Sequence, residues 1–258
     1  TAALPPAPQP LYPHREPMRE IRSDGGAPTG VRALAAEIPV AIEINGIGYA
    51  VLMASGADLA DLATGFCMTE RLAASADSID AIDQFETDKG WIVRLTLSGA
   101  GTDLLAERAR TRVSEGSCGL CGVENLEALA KPLPAVAPHA PIAPAAIFRA
   151  LDTLATHQPA NRETGGMHVA AFCDDQGRIV AAREDAGRHN ALDKLIGACA
   201  RIALPLSPGF ILTSSRCSYE IVEKAVVAGA TTLATISAPT DLAVRRARSA
   251  GLSLHALT

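Results

Sequence analysis

The sequence predicts an α/β protein whose mixed sheet has helices on its faces and is preceded by a smaller N-terminal α+β part. Three observations lead to this fold class. Strands, short loops and helices alternate through the C-terminal part, which is typical of a parallel or mixed sheet. The N-terminal part contains two hairpin signals and an amphipathic helix. A stretch rich in proline and alanine lies between the two parts and predicts a linker.

These patterns divide the chain into four segments. Residues 1–17 contain six prolines and little that could pack, so we expect a disordered tail. Residues 18–113 are the N-terminal α+β part, and residues 114–146 contain a cysteine-bearing loop, a short helix and the linker. Residues 147–258 are the C-terminal α/β core. At 258 residues the chain is long enough to bury such a core.

Composition argues against several classes of protein. The formal net charge is −5 with both signs interspersed, so we expect no binding to nucleic acid or to a membrane surface. No apolar run approaches the roughly 18 to 20 residues that cross a bilayer, and no secretory signal pattern is present. Four of the six cysteines lie inside apolar helix or strand patterns, as reduced core cysteines do. We therefore expect a cytoplasmic protein.

The N-terminal part shows its elements through turn and cap residues. Alternating apolar residues flank Asn45–Gly48, and an Asn-Gly pair between such runs predicts a hairpin. Asp58 is the expected N-cap of the next helix, because apolar residues after it recur at helical spacing. A second hairpin is predicted around the Asp-Lys-Gly turn at residues 88–90. A charged amphipathic helix is predicted at residues 102–113.

The C-terminal core is predicted from repeated strand and helix patterns. Residues 145–157 predict a helix, and residues 161–166 predict a loop. Two strands then pair across a turn at residues 175–177, and three strand–loop–helix units follow. Asn190 is the expected cap of the first helix in these units. That helix has apolar residues at helical spacing, namely Leu192, Leu195, Ile196 and Cys199.

The three loops of these units predict a binding site. Ligands of such sheets bind at the carboxyl ends of the strands, where the loops would lie together. Hydroxyls, arginines and helix N-termini in one place suit a phosphate-bearing ligand. The first loop is unusually polar for a chain reversal, and a salt-bridged surface turn is the alternative for it. The candidate binding residues are His168, Arg183, Arg188, His189, Asn190, Ser214, Ser215, Arg216, Ser237 and Thr240, with Ser218 beside them.

A CxxC pair, Cys118 and Cys121, lies in a glycine-rich loop. A zinc site needs four ligands, and no second ligand pair stands at suitable spacing. A thioredoxin-like dithiol normally follows the first strand of a βαβ unit, whereas this pair follows a predicted helix. A nucleophilic or carrier cysteine and a purely structural pair remain open. The helix expected near Val123 would lower the pKa of the thiols, which favours thiolate or persulfide chemistry.

His168 begins a strand after two glycines, a position that is as often structural as catalytic. With the following residues it partly matches the HxE pattern of zinc deaminases. Ala170, however, occupies the position of the glutamate that such enzymes use as general acid and base. We therefore expect neither deaminase chemistry nor a bound metal.

Taken together, these motifs resemble the FdhD family, the formate dehydrogenase accessory sulfurtransferases. The longest motif is REDAGRHNALDKLIG, at residues 183–197, and its unusual composition makes chance a poor explanation. The resemblance covers most of the chain. Its other motifs are at residues 53–70, 116–122, 164–172, 214–229 and 237–244.

The resemblance implies a homodimeric cytoplasmic sulfur carrier with a cytidine-deaminase-like core. A cysteine desulfurase would load sulfur onto Cys118 as a persulfide, and Cys121 would assist or resolve it. The carrier would then deliver the sulfur to molybdenum bis(molybdopterin guanine dinucleotide), bound as a substrate, before this cofactor enters formate dehydrogenase. The alternative is a cofactor-binding chaperone that transfers no sulfur.

Two positions depart from the pattern of the family. Ser215 stands where the family loop usually has glycine, which would hinder a close approach of a ligand to the backbone. Members of the family tend to continue past Leu254 into a segment with glycine, an aromatic residue and arginine that contributes to cofactor binding. This sequence ends at Thr258, so no binding residue is carried over from that segment.

Overall fold

The computed structural model describes residues 15–21, 23–98 and 132–257. Within these ranges the chain forms a four-stranded sheet, a five-stranded sheet and a separate two-stranded ribbon, with helices packed on the larger sheets. The predicted α/β class with a mixed sheet is confirmed. The helix predicted at residues 102–113 and the CxxC loop lie outside the described residues.

Strands come in runs through the N-terminal part, and strands and helices alternate only from Ile179–Asp185 onward. The strands are β1 (Arg15–Arg19), β2 (Thr29–Ala33), β3 (Ile38–Ile44), β4 (Ile47–Ala54), β5 (Ile79–Thr87), β6 (Gly90–Leu97), β7 (His168–Cys173), β8 (Ile179–Asp185), β9 (Phe210–Thr213), β10 (Thr232–Thr235) and β11 (Ser253–Ala256). The helices are α1 (Leu59–Thr69), α2 (Pro144–Leu154), α3 (Pro159–Thr164), α4 (Arg188–Arg201), α5 (Tyr219–Val227) and α6 (Asp241–Ala250). Where the described chain allows comparison, both predicted N-terminal hairpins are present.

The N-terminal sheet has the strand order β4-β3-β6-β5 and buries one face against α1. Asn45 and Gly46 both have positive φ, 49° and 80°, as the tight turn of a two-residue hairpin requires. Val40, Ile42 and Leu95 from the sheet pack with apolar side chains of α1 in one buried cluster. Burial of this apolar surface holds the helix on the sheet.

The C-terminal sheet has the order β11-β10-β9-β7-β8. β9, β10 and β11 are parallel, while β7 is antiparallel to both β8 and β9. Helices α4, α5 and α6 cover one face, and α2 packs on the other. The carboxyl ends of β8, β9 and β10 and the first residue of β7 consequently lie at the same edge, where ligands of such sheets bind.

Helices α1 and α4 cross in close contact and join the two parts of the molecule. A Cβ placed on Gly65 would lie 1.8 Å from the carbonyl oxygen of Asp193, and one on Gly197 would lie 1.9 Å from that of Asp61. Thr69 donates a hydrogen bond of 2.9 Å to Asp193 across the same contact. The crossing therefore depends on glycine in both helices.

Three segments differ from the prediction. Residues 15–17, expected to be disordered, belong to β1, which pairs with β2 in an antiparallel ribbon. The loop expected at residues 161–166 is largely helix α3, because the Glu184 carboxylate accepts hydrogen bonds from the first backbone amides of that helix. The Pro/Ala-rich linker is packed: Ile142 is 8% exposed, and the amide of Val136 donates to Ala250 O at 2.8 Å. Tertiary contacts order all three segments.

None of the helices in residues 15–21, 23–98 and 132–257 combines the length and the hydropathy that crossing a bilayer requires.

Candidate functional site

The candidate site lies at the edge of the C-terminal sheet, where the structure brings the three polar loops together. The loops after β9 and β10 contact each other through Cys217, whose amide donates to Ala238 O at 3.3 Å and whose carbonyl accepts from Thr240 N at 2.9 Å. Ser214, after β9, contacts the start of β7. Hydrogen bonds within the fold thus fix the positions of these loops.

Arg183 is not directed to this edge. Its side chain is 7% exposed, and its Nε donates to Asp61 Oδ2 at 2.9 Å. Asp58 Oδ2 lies 3.6 Å from the same nitrogen, and burial raises the pKa of Asp58. Asp58 occupies the N-cap position of α1, as predicted, but it adopts a left-handed conformation and its side chain makes no capping hydrogen bond. These contacts give Arg183 a structural role between β8 and α1.

Asn190 is also engaged inside the fold. Helix α4 starts at Arg188 with Gly187 as N-cap, so the prediction that Asn190 caps this helix is wrong. The Asn190 amide instead donates to Met53 O at 2.7 Å and to Asp185 Oδ1 at 3.1 Å. It therefore ties the loop to β4.

Lys194 anchors the same network and was missed by sequence reasoning. Its Nζ lies 2.6 Å from Asp185 Oδ2, and both side chains are completely buried. The lysine also donates to Ser55 Oγ at 2.7 Å, and the Ser55 amide donates to Asp185 Oδ2 at 2.9 Å. A buried lysine requires a carboxylate partner, and the nearby Asp185 was the signal available in the sequence.

Two side chains of the motif, Arg188 and His189, remain at the edge of the sheet. Arg188 is partly exposed, and its Nε is buried without a hydrogen-bond partner among the described residues. His189 Nε2 lies 3.1 Å from Glu220 Oε2 in the first turn of α5. The interaction with His189 lowers the pKa of Glu220, and Arg188 adds to the effect, so this carboxylate is ionised at neutral pH. Glu220 had not been predicted from the sequence.

His168 lies beside these groups. The Val169 amide donates to Ser214 Oγ at 3.0 Å, and the same oxygen is 3.3 Å from His168 Nδ1. The serine proton can therefore be donated to Nδ1, which leaves the imidazole proton on Nε2. Burial lowers the pKa of His168, as do Arg188 and, to a smaller extent, His189, so the ring is neutral at pH 7. A neutral histidine can offer a ligand one N–H donor.

This neutral histidine predicts a pH effect on stability. The unfolded chain protonates His168 near its ordinary pKa of 6.5, whereas the folded protein binds that proton only at lower pH. The free energy of unfolding therefore decreases as the pH falls below the pKa that His168 has in the unfolded chain. Relative to the wild type, His168→Gln should gain unfolding free energy between about pH 7.5 and about pH 5.5 in urea titrations. A difference that stays constant with pH would contradict the assignment.

The remaining candidates differ in what their side chains contact. Ser215 is 2% exposed, and its Oγ donates to Arg216 O at 2.9 Å. This serine points inward, so its side chain does not cover the backbone that the family glycine would expose. Thr240 Oγ1 accepts from Ala243 N and caps α6. Arg216 is exposed. The Ser237 carbonyl accepts a hydrogen bond of 2.9 Å from Thr235 Oγ1.

The structure thus brings together one subset of the predicted residues: His168, Arg188, His189 and Ser214. Cys118 and Cys121 lie outside the described residues, so their predicted role stays a prediction. Cys217, close to the site, is fully buried, and burial raises the pKa of its thiol to about 11. A thiol in that state is a poor nucleophile. Among the described residues, no group of three or more His, Cys, Asp or Glu side chains could hold a metal ion.

Comparison with known proteins identifies the family. The model of the FdhD/NarQ family matches residues 35–258. The sulfur carrier protein FdhD of Variovorax paradoxus is 40% identical over 234 residues, covering 87% of this chain and 84% of the relative. The sulfur carrier protein FdhD of Bordetella petrii is 41% identical over 229 residues, covering 89% of this chain and 82% of the relative.

A solved structure shows that the fold is shared. This structure, assigned as a formate dehydrogenase accessory protein from Desulfotalea psychrophila, has a TM-score of 0.70 and covers 95% of this chain and 92% of its own. The two sequences are 20% identical, so this likeness concerns the fold alone. The family model and the relatives together show that the chain belongs to the FdhD/NarQ family.

Proposed function

We propose that the protein is a cytoplasmic, homodimeric sulfur carrier that takes sulfur from a cysteine desulfurase. It delivers this sulfur to molybdenum bis(molybdopterin guanine dinucleotide), which is then inserted into formate dehydrogenase. Cys118 carries the sulfur as a persulfide, and Cys121 assists its release. The proposal rests mainly on sequence identity. About two residues in five are identical to those of proteins named sulfur carriers, and the matches cover more than four fifths of both chains.

The geometry of the sheet edge supports the proposed cofactor. A guanine dinucleotide brings negative charge and many hydrogen-bonding groups. The uncapped first turn of α4 and the Arg188 guanidinium provide positive charge beside the His168 ring. Phosphate groups are stabilised by this combination of helix end and arginine.

The loading step needs only a thiolate and a donor persulfide. The Cys118 thiolate attacks the terminal sulfur of the desulfurase persulfide and forms a new S–S bond. The S–S bond of the donor breaks, and its electron pair leaves with the donor cysteine as a thiolate. Delivery of the sulfur as sulfide requires two further electrons, which Cys118 and Cys121 can supply by closing to a disulfide.

Loading is tested by mass spectrometry. After incubation with a cysteine desulfurase and cysteine, the peptide that contains Cys118 should gain the mass of one sulfur atom. Cys118→Ala should gain none, because the acceptor thiolate is absent. Cys217→Ala is the control and should load like the parent, since that buried thiol has a raised pKa. If Cys118→Ala accepts as much sulfur as the parent, the assignment of the acceptor is wrong.

A further inference from the structure

Strand β5 is an open edge of the N-terminal sheet. It pairs with β6 on one side, and no other described strand pairs with its second side. Seven of its nine residues are exposed, and a bulge interrupts its pairing only at the start, between Ile79 and Ala81. Natural proteins usually protect an edge of this length with proline or lysine, and β5 contains neither. The backbone groups on its second side can therefore pair with a further strand.

A cleft lies beside the start of this edge. It has a volume of about 460 Å³ and is lined by residues of β5, of α1 and of the end of α4, with Ile79, Ile82 and Ile202 as its large apolar side chains. Ile82 is on the core side of the sheet, because it pairs with the buried Leu95. A strand added to β5 would direct alternate side chains to the same side, next to Ile82. The cleft can therefore receive an apolar side chain of such a strand.

The charged side chains along the edge are mainly carboxylates. From Asp77 to Lys89 the sequence contains five acidic residues and one basic residue, all of them exposed. Arg94, which lies opposite Asp83 on β6, is already paired with Glu43. Like charges would oppose pairing of β5 with the same strand of a second copy, whereas a basic strand would be attracted. The acidic residues are Asp77, Asp80, Asp83, Glu86 and Asp88.

We propose that β5 binds an extended, basic segment of a partner protein by strand addition. The backbone of the segment pairs with the open edge, and its lysine or arginine side chains lie beside Asp80, Asp83 and Glu86. An apolar side chain between them enters the cleft at the end of α4. The polar loop of the candidate site is at the other end of this helix of 14 residues, about 20 Å away. The partner segment and a ligand of the polar loops can therefore be bound at the same time.

The probe is a short fluorescent peptide in which lysine alternates with valine and a central leucine, and its counterpart has glutamate in place of lysine. Fluorescence anisotropy with the full chain should show the basic peptide binding at least about tenfold more tightly. Serine in place of the central leucine should weaken binding about tenfold, because the cleft loses an apolar side chain. Hydrogen exchange should slow at residues 79–87 when the basic peptide binds. Equal binding of the basic and acidic peptides, or protection only at other residues, would overturn the proposal.

Charge reversal tests the edge itself. A variant with Asp80→Lys, Asp83→Lys and Glu86→Lys should lose the preference for the basic peptide. The matched control carries Asp152→Lys, Glu163→Lys and Asp175→Lys, which changes the net charge equally at exposed residues of the C-terminal part, and it should keep the preference. Equal weakening in both variants would show that only net charge matters, against a site on β5. Slow exchange at residues 79–87 without any peptide would show that a second copy or another segment of the chain already occupies the edge, which also contradicts the proposal.

Discussion

Replacing Gly197 by alanine should destabilise the protein by about 3 kcal/mol or more, or prevent folding. The added Cβ would lie 1.9 Å from Asp61 O and 2.8 Å from Gly65 N. Both are backbone atoms inside helices, so neither can move without separating α1 from α4. In a helix without this close contact, replacing glycine by alanine would stabilise the protein by about 1 kcal/mol. A loss of stability can therefore be attributed to the contact between the two helices.

Urea unfolding monitored by circular dichroism measures this effect. Gly48→Ala is the control, because a Cβ there meets no atom within 4 Å and the residue has no positive φ. It should change the free energy of unfolding by less than about 1 kcal/mol. A Gly197→Ala protein as stable as the wild type would show that the helices do not cross this closely.

Replacing Lys194 by methionine should cost about 3 to 5 kcal/mol. The substitution leaves the Asp185 carboxylate charged and fully buried, 2.6 Å from the position of the lost ammonium group. Hydrogen bonds from Ser55, Gly187 and Asn190 remain, but they do not neutralise the charge. Since domains are stable by roughly 5 to 15 kcal/mol, the loss would be a large fraction of the total.

Two further variants make the Lys194 result interpretable. Arg245→Met removes one partner of an exposed pair, with 66% and 79% exposure, and should cost less than about 1 kcal/mol. Adding Asp185→Asn to Lys194→Met should recover part of the loss, because the unpaired charge disappears. Equal costs for Lys194→Met and Arg245→Met would contradict a buried, essential ion pair.

The convergence of the polar loops at one edge of the sheet could be predicted because it depends on local patterns. Strand, loop and helix repeat in order, and parallel strands place their carboxyl ends together. His168 joins the same edge because β7 runs antiparallel to its neighbours. Hairpins with Asn-Gly turns and helices with regular apolar spacing are likewise determined by nearby residues.

The roles of individual residues could not be predicted in the same way. Arg183 and Asn190 resemble binding residues in sequence, but their partners, Asp61 and Met53, are more than a hundred positions away along the chain. Lys194 occupies an ordinary helical position, and only the fold shows that it is completely buried. Glu220 stands in the first turn of α5 and meets His189 only because the fold brings the N-terminal ends of α4 and α5 together. Long-range pairing decides which polar side chains stabilise the fold and which can contact a ligand.

The most direct test of sulfur delivery is formate dehydrogenase activity in cells that lack their own FdhD protein. Cells given the parent chain should regain activity, and cells given Cys118→Ala should show none, although the variant accumulates and binds guanosine diphosphate normally. Full activity with Cys118→Ala would contradict sulfur transfer and establish a chaperone that only holds the cofactor.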